Sequence, residues 1–210
     1  MRTLEPLQRF LRSVEQDPRV DEVSRRLDPI ASSVASSSAG PALKGDWLGH
    51  SLHPALTDIP IGFWTSAFVL DFVGGRGARP AAQRLVGLGL LAVPATALAG
   101  AADYDSIDDT ASRRVGAIHA AGNVLAAVLY FASWRQRRRG NHLRGVAYGV
   151  AGGGVATVTA FLGGALASGS TSSDKSASDT SMDPAIAAAA ATYSVRAPFD
   201  PAVEQDSPVR

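Results

Sequence analysis

Six side chains of three kinds, histidine, aspartate and asparagine, could do chemistry in this sequence, and they cluster. His50 and His53 stand three apart in GHSLHPALTDIPIGFW, Asp58 follows five residues on, His119 and Asn123 stand four apart in RRVGAIHAAGN, and Asp103 lies near the end of ALAGAADYD. Imidazoles at H-x-x-H spacing, with His119 and Asp58 completing the sphere, suit a divalent metal such as Zn, Fe, Ni or Mn. Two neutral imidazoles on neighbouring helices suit haem b instead, with His119 on one axial position and His50 or His53 on the other. A third chemistry needs no cofactor. Histidines and aspartates can hydrogen-bond one another and the open N–H groups at helix starts, fixing a bundle. Asn123, one helical turn from His119, and Asp103 are supporting polar groups in each case. His142, in an arginine-rich turn, is expected to be a solvated loop histidine.

The elements that must hold these groups are apolar. Four runs, Pro54 to Gly75, Leu85 to Ala102, Val115 to Trp134 and Gly145 to Ala167, are each long enough at about 1.5 Å per residue to cross a hydrocarbon core of roughly 30 Å. The second and fourth carry no charge, so a soluble bundle with a charged stripe on each helix is excluded. The expected fold is all-α, an integral membrane bundle of four transmembrane helices over about 54–75, 83–102, 113–135 and 143–167. Trp47, Tyr104, Tyr130, Trp134 and Tyr148 fall at or near run ends, where amphipathic rings favour the interface. Gly145, Gly149 and Gly153 recur every four positions and give the last helix a flat face. Pro94 is expected to kink the second helix.

Helices one and three run in the same direction, so His50, His53, Asp58, His119, Asn123 and the acidic loop DYDSIDD share one side of the membrane. Arg76, Arg79 and Arg84 flank the first turn, and Arg135, Arg137, Arg138, Arg139 and Arg144 flank the third. The positive-inside rule puts those turns in the cytoplasm and both termini outside. Asp71 is expected to pair with Arg76 and Arg79 at the cytoplasmic surface.

Residues 1–45 read as an amphipathic helical tail. Leu4, Leu7, Phe10, Leu11 and Val14 have helical spacing, as do Val20, Val23, Leu27 and Ile30, with Asp17-Pro18 as a start signal and Asp28-Pro29 ending or restarting the second helix. These helices could lie on the membrane surface, on the ends of the bundle or on a second copy in a homo-oligomer. Residues 46–167 form the membrane domain. Residues 168–210 read as a disordered tail, and the N-terminus shows no cleavable signal.

Composition narrows the function. No cysteine is present among the 210 residues, so thiolate zinc sites, iron–sulfur clusters and catalytic thiols are excluded. A balance of 20 basic and 19 acidic residues gives no nucleic-acid signature. No P-loop, nucleophile elbow or H-E-x-x-H motif occurs, and GVAGGGVA lies within a helix without a lysine partner. The acidic loop lacks the glycine and terminal glutamate of a calcium hand.

GHSLHPALTDIPIGFWTSAFVLDFVGG, ALAGAADYD and RRVGAIHAAGN together resemble the bacterial membrane family called domain of unknown function 2231, over about Trp47 to Leu166. The resemblance implies a four-helix integral membrane domain without assigned activity, sometimes fused to a Rieske-type domain. That habit points toward redox work, although this chain can hold no Rieske cluster. Two functions are therefore expected: a non-enzymatic subunit of the bacterial cytoplasmic membrane whose outward histidines bind haem or a metal for a redox partner, or a structural scaffold with no cofactor.

Overall fold

The protein is described from a computed structural model covering residues 5–169 and residue 171. The described chain is all-helical: α1 (Glu5–Gln16), α2 (Asp21–Ala35), α3 (Gly40–Lys44), α4 (His53–Val73), α5 (Arg79–Tyr104), α6 (Thr110–Arg138) and α7 (His142–Ala167). The four segments His53–Val73, Arg76–Tyr104, Thr110–Arg138 and His142–Ala167 are long and apolar enough to cross a membrane. Their large apolar side chains face outward on every helix, among them Phe72, Leu91, Val124 and Leu143, which is how a bundle meets lipid rather than water. The tail beyond Thr171, expected to be disordered, lies outside the described residues.

Local chemistry sets the ends. Pro54 sits in the first turn of α4, where a missing N–H costs nothing. Asp109 caps α6 by accepting from the Ser112 N–H at 2.8 Å. Pro94 is accommodated inside a continuous α5. Pro29, expected to end or restart a helix, instead lies within an unbroken α2. There Asp28 is held by Arg113 at 2.5 Å and Ala31 is buried, so tertiary anchoring outweighs the lost backbone hydrogen bond.

α4 packs along α5 and α6 along α7 as two antiparallel hairpins, with α5 against α6 closing the bundle more fully than α4 against α7. Small residues make the close approach. Ser133 of α6 donates to the Gly145 carbonyl at 2.6 Å, and Gly149 and Gly153 lie against Ser133, Arg137 and Tyr130, so the flat glycine face does meet its neighbour.

The N-terminal helices pack on the end of the bundle. Leu11 and Val14 of α1 are buried with Val115, Leu162 and Ala165. Val20 and Ala31 are buried with Tyr104 and Ala117. Two arginines at the start of α6 pin this arm. Arg114 forks onto Asp21 at 2.7 and 3.0 Å and donates to the Glu15 carbonyl at 2.9 Å, while Arg113 also lies over the Tyr104 ring at 4.8 Å. Tyr104 therefore sits under the arm, not at a lipid interface.

The Arg114 hydrogen bonds hold the Asp21 carboxyl below its usual range. A depressed carboxylate stabilises docking fully above its unfolded value near pH ~4 and loses that contribution as pH falls through the folded value. Burial of Leu11, Val14 and Val20, at about 1.5–3 kcal/mol each, outlasts the titration, so acid should loosen the arm without releasing it. Hydrogen exchange in residues 5–35, corrected for intrinsic rate, is expected to rise severalfold between pH 6 and pH 3, and Asp21→Asn should raise it at pH 6. Unchanged protection across that range would contradict the role given to Arg114.

Candidate functional site

His53 opens α4 with its ring against α5. A carbonyl can only accept, so the 3.0 Å contact between Nδ1 and the Thr96 carbonyl fixes the proton on Nδ1. The ring lies on Gly100, where an added Cβ would stand 2.9 Å from the imidazole. Glycine is required there by close approach.

His119, about two and a half turns into α6, is held in the same manner by α7. Its Nδ1 donates to the Thr159 carbonyl at 2.7 Å, and its ring lies on Gly163, where a Cβ would come within 2.7 Å. Its second nitrogen is also occupied. With the proton on Nδ1, Nε2 must accept, and Asn123 Nδ2 donates to it at 2.9 Å. The Asn123 oxygen accepts in turn from the Thr159 hydroxyl at 2.9 Å. Hydroxyl, amide, imidazole and carbonyl thus close a ring that starts and ends on Thr159, whose hydroxyl also has the Ala156 carbonyl at 3.0 Å.

The two imidazoles meet edge to face, centroids 6.1 Å apart and planes at 85°. The structure thereby brings His53, His119 and Asn123 together. His50 does not join them: it is exposed in the turn before α4, its Nδ1 3.0 Å from the Ser51 carbonyl. Asp58 is exposed on α4, without a hydrogen bond or ion pair among the described residues. Asp103 stands nearby, accepting a short hydrogen bond from Ser51 Oγ, which also receives the His53 N–H at 3.3 Å. Lys44 reaches Ser106 at 2.9 Å and Asp105 at 3.9 Å. Among the described residues no group of three or more histidines, aspartates or glutamates is placed to hold a metal ion. Four of the helix glycines are taken up by rings. Gly100 and Gly163 are covered by the imidazoles, Gly89 by Trp64 and Gly152 by Tyr130.

Further down α4 and α6, Trp64 stacks on Tyr130 with centroids 3.8 Å apart and donates to the Val86 carbonyl at 3.3 Å. Tyr130 is buried in this stack, not set at a run end. Near the opposite end, Asp71 takes two hydrogen bonds from Arg137, at 2.7 and 2.6 Å, and both side chains are at most 5% exposed. Its partner comes from α6 across the bundle, not from Arg76 or Arg79 in the adjoining turn, because Asp71 and Arg137 face each other inside. His142 starts α7 with its Nε2 3.8 Å from Asp71, so it is a packed histidine, not a solvated one. Ser51, Thr96 and Thr159 escaped the sequence reading. Their only signal is a hydroxyl residue in or beside an apolar run, which is common in membrane helices.

The family model described as predicted membrane protein DUF2231 matches residues 49–173, more than half of the chain, and the chain belongs to that family. No curated protein and no solved structure matches it.

The closed ring makes Asn123 and Thr159 interdependent. Asn123→Ala and Thr159→Val should each cost about 0.5–2 kcal/mol in unfolding measured in detergent. The double variant should lose clearly less than the sum, because either change opens the same ring. Additive losses would show two independent hydrogen bonds instead.

Proposed function

We propose that this DUF2231 membrane protein is a non-enzymatic scaffold of the bacterial cytoplasmic membrane, in which the histidines bind helices together and the outer end carries the N-terminal arm. One observation carries the proposal: the ring through Thr159, Asn123 and His119, in which both imidazole nitrogens are committed to protein partners. A ligand histidine keeps one nitrogen for the metal and gives only the other to a second partner. His119, common to both cofactor arrangements, has none to spare.

The arm is placed outside with both termini. Around the turn between α5 and α6 only Arg113 and Arg114 lie close to the spans, fewer basic residues than flank the other two turns. Arg76, Arg79, Arg84, Arg135, Arg139 and Arg144 form no ion pair among the described residues and retain their orienting charge.

A second reading, a haem- or metal-binding subunit serving an electron-transfer partner, is favoured by a different observation. Both histidines hold the Nδ1–H tautomer on a backbone carbonyl, which is how ligand imidazoles are oriented, and they stand in contact. In that version Asn123 must release His119 Nε2 before a metal can take it.

The visible spectrum of the detergent-purified full chain, oxidised and then dithionite-reduced, separates the two when run with elemental analysis of the same sample. A colourless protein without stoichiometric metal, after haem and metal supplementation, is the expected result, and His119→Ala should then cost stability alone. A Soret band that shifts on reduction, or one metal per chain lost in His119→Ala, would overturn the scaffold.

A further inference from the structure

Three contacts along the bundle recur at one fixed spacing. His53 meets His119, Trp64 stacks on Tyr130 and Asp71 pairs with Arg137, and in each case the partners are 66 residues apart. Buried Pro60 and Ala67 have buried Ala126 and Ser133 at the same interval. The second helix of each hairpin repeats as well. Thr96 takes the imidazole proton 43 residues after His53, and Thr159 takes it 40 residues after His119, the second hairpin being three residues tighter. Four residues beyond each threonine stands the glycine under the imidazole, Gly100 or Gly163. Seven residues before each threonine stands the glycine under the aromatic ring, Gly89 under Trp64 or Gly152 under Tyr130.

Side chains that touch their own counterparts lie on a twofold axis, because only there does a position meet its equivalent. Parallel repeats about an axis along the membrane normal are an established way of building membrane domains. We infer that α4–α5 and α6–α7 are two copies of one helical hairpin folded about such a pseudo-twofold axis, and that a departure from the repeat at one position makes His53 Nε2 the open binding nitrogen of the axial site.

The position is 57/123. Asn123 in the second copy donates to His119 Nε2. Its counterpart Thr57 is too short to do so, and its hydroxyl donates to the His53 backbone carbonyl at 2.8 Å. His53 is half-buried, and its Nε2 has no hydrogen-bond partner among the described residues. A neutral imidazole with Nδ1–H fixed on a carbonyl presents a directed lone pair at Nε2. The groups around it are His119 from α6, the carboxylate of Asp103 from α5 and, through Asp103, Lys44 ahead of α4. The site takes a small polar molecule that brings a hydrogen-bond donor to Nε2. It goes beyond the scaffold reading and requires neither haem nor metal, either of which would occupy the same nitrogen if His53 were a ligand.

Diethyl pyrocarbonate tests the assignment on the full chain in detergent after chelator washing, with acylation read at each histidine by mass spectrometry. The imidazole lone pair attacks one carbonyl carbon, ethyl carbonate leaves, and the ring loses its N–H proton. His50, exposed in its turn, gives the solvent reference. His53 should react about three- to tenfold faster than His119, the factor expected when one hydrogen bond occupies the competing nitrogen. Thr57→Asn should slow His53 toward the His119 rate, and Asn123→Thr should raise His119 toward the His53 rate. Equal rates in the unmodified chain, or an unchanged ratio in both variants, would overturn the inference. Should either variant fail to fold, the ratio in the unmodified chain decides alone.

Discussion

Lipid offers a buried polar group no water to turn to, so a polar side chain inside a membrane bundle must find its partner on another helix. That constraint organises the whole interior between α4 and α6. An imidazole pair at the end that carries the N-terminal arm, an aromatic stack in the middle and a buried ion pair near the opposite end follow one another along a single line. Each ring lies in a socket left by a glycine on the neighbouring helix. Glycine is scarce in soluble helices because it loses entropy there, but in lipid it allows helices and rings to approach, and close packing replaces the missing hydrophobic drive.

The N-terminal arm extends this economy beyond the spans. Arg113 and Arg114 stand at the start of α6, directly above the His119 turn, and tie the arm to the bundle through Asp28 and Asp21. Buried Leu11, Val14, Val20 and Ala31 supply the apolar share of that contact. The arm therefore packs on the end of α5, the start of α6 and the end of α7, while Asp58 and Trp47 near the entry to α4 stay exposed.

Much of the architecture was legible because apolar run length is a strong and local signal. The four spans, their shared polar end and the glycine face of α7 all follow from it. What escaped is non-local. Nothing in the run containing Asp71 says that Arg137, 66 residues away, is nearer than Arg76. Pro29 reads as a helix stop only until Asp28 is seen anchored by Arg113. Of the candidate site, helix direction placed His50, His53, Asp58 and His119 on one side, but only His53 and His119 meet, whereas His50 and Asp58 are exposed. The internal repeat was hidden for a further reason. Counterparts such as Trp64 and Tyr130, or Asp71 and Arg137, preserve a contact across the axis without preserving residue type, so α4 and α6 share little beyond a histidine.

The buried ion pair tests most directly whether the axial contacts hold the two hairpins together. Breaking such a pair by removing one partner costs about 3–5 kcal/mol, because the other charge is left buried. Asp71→Arg and Arg137→Asp alone place two like charges on the axis and should be severely destabilised, with no folded protein in detergent in the extreme case. The double reversal puts the same two charges back in contact, and its unfolding in detergent is the measurement to make. Recovery of more than half of the loss caused by either single reversal is expected if α4 and α6 meet at equivalent positions. A double variant no more stable than the worse single reversal would contradict the axial pairing.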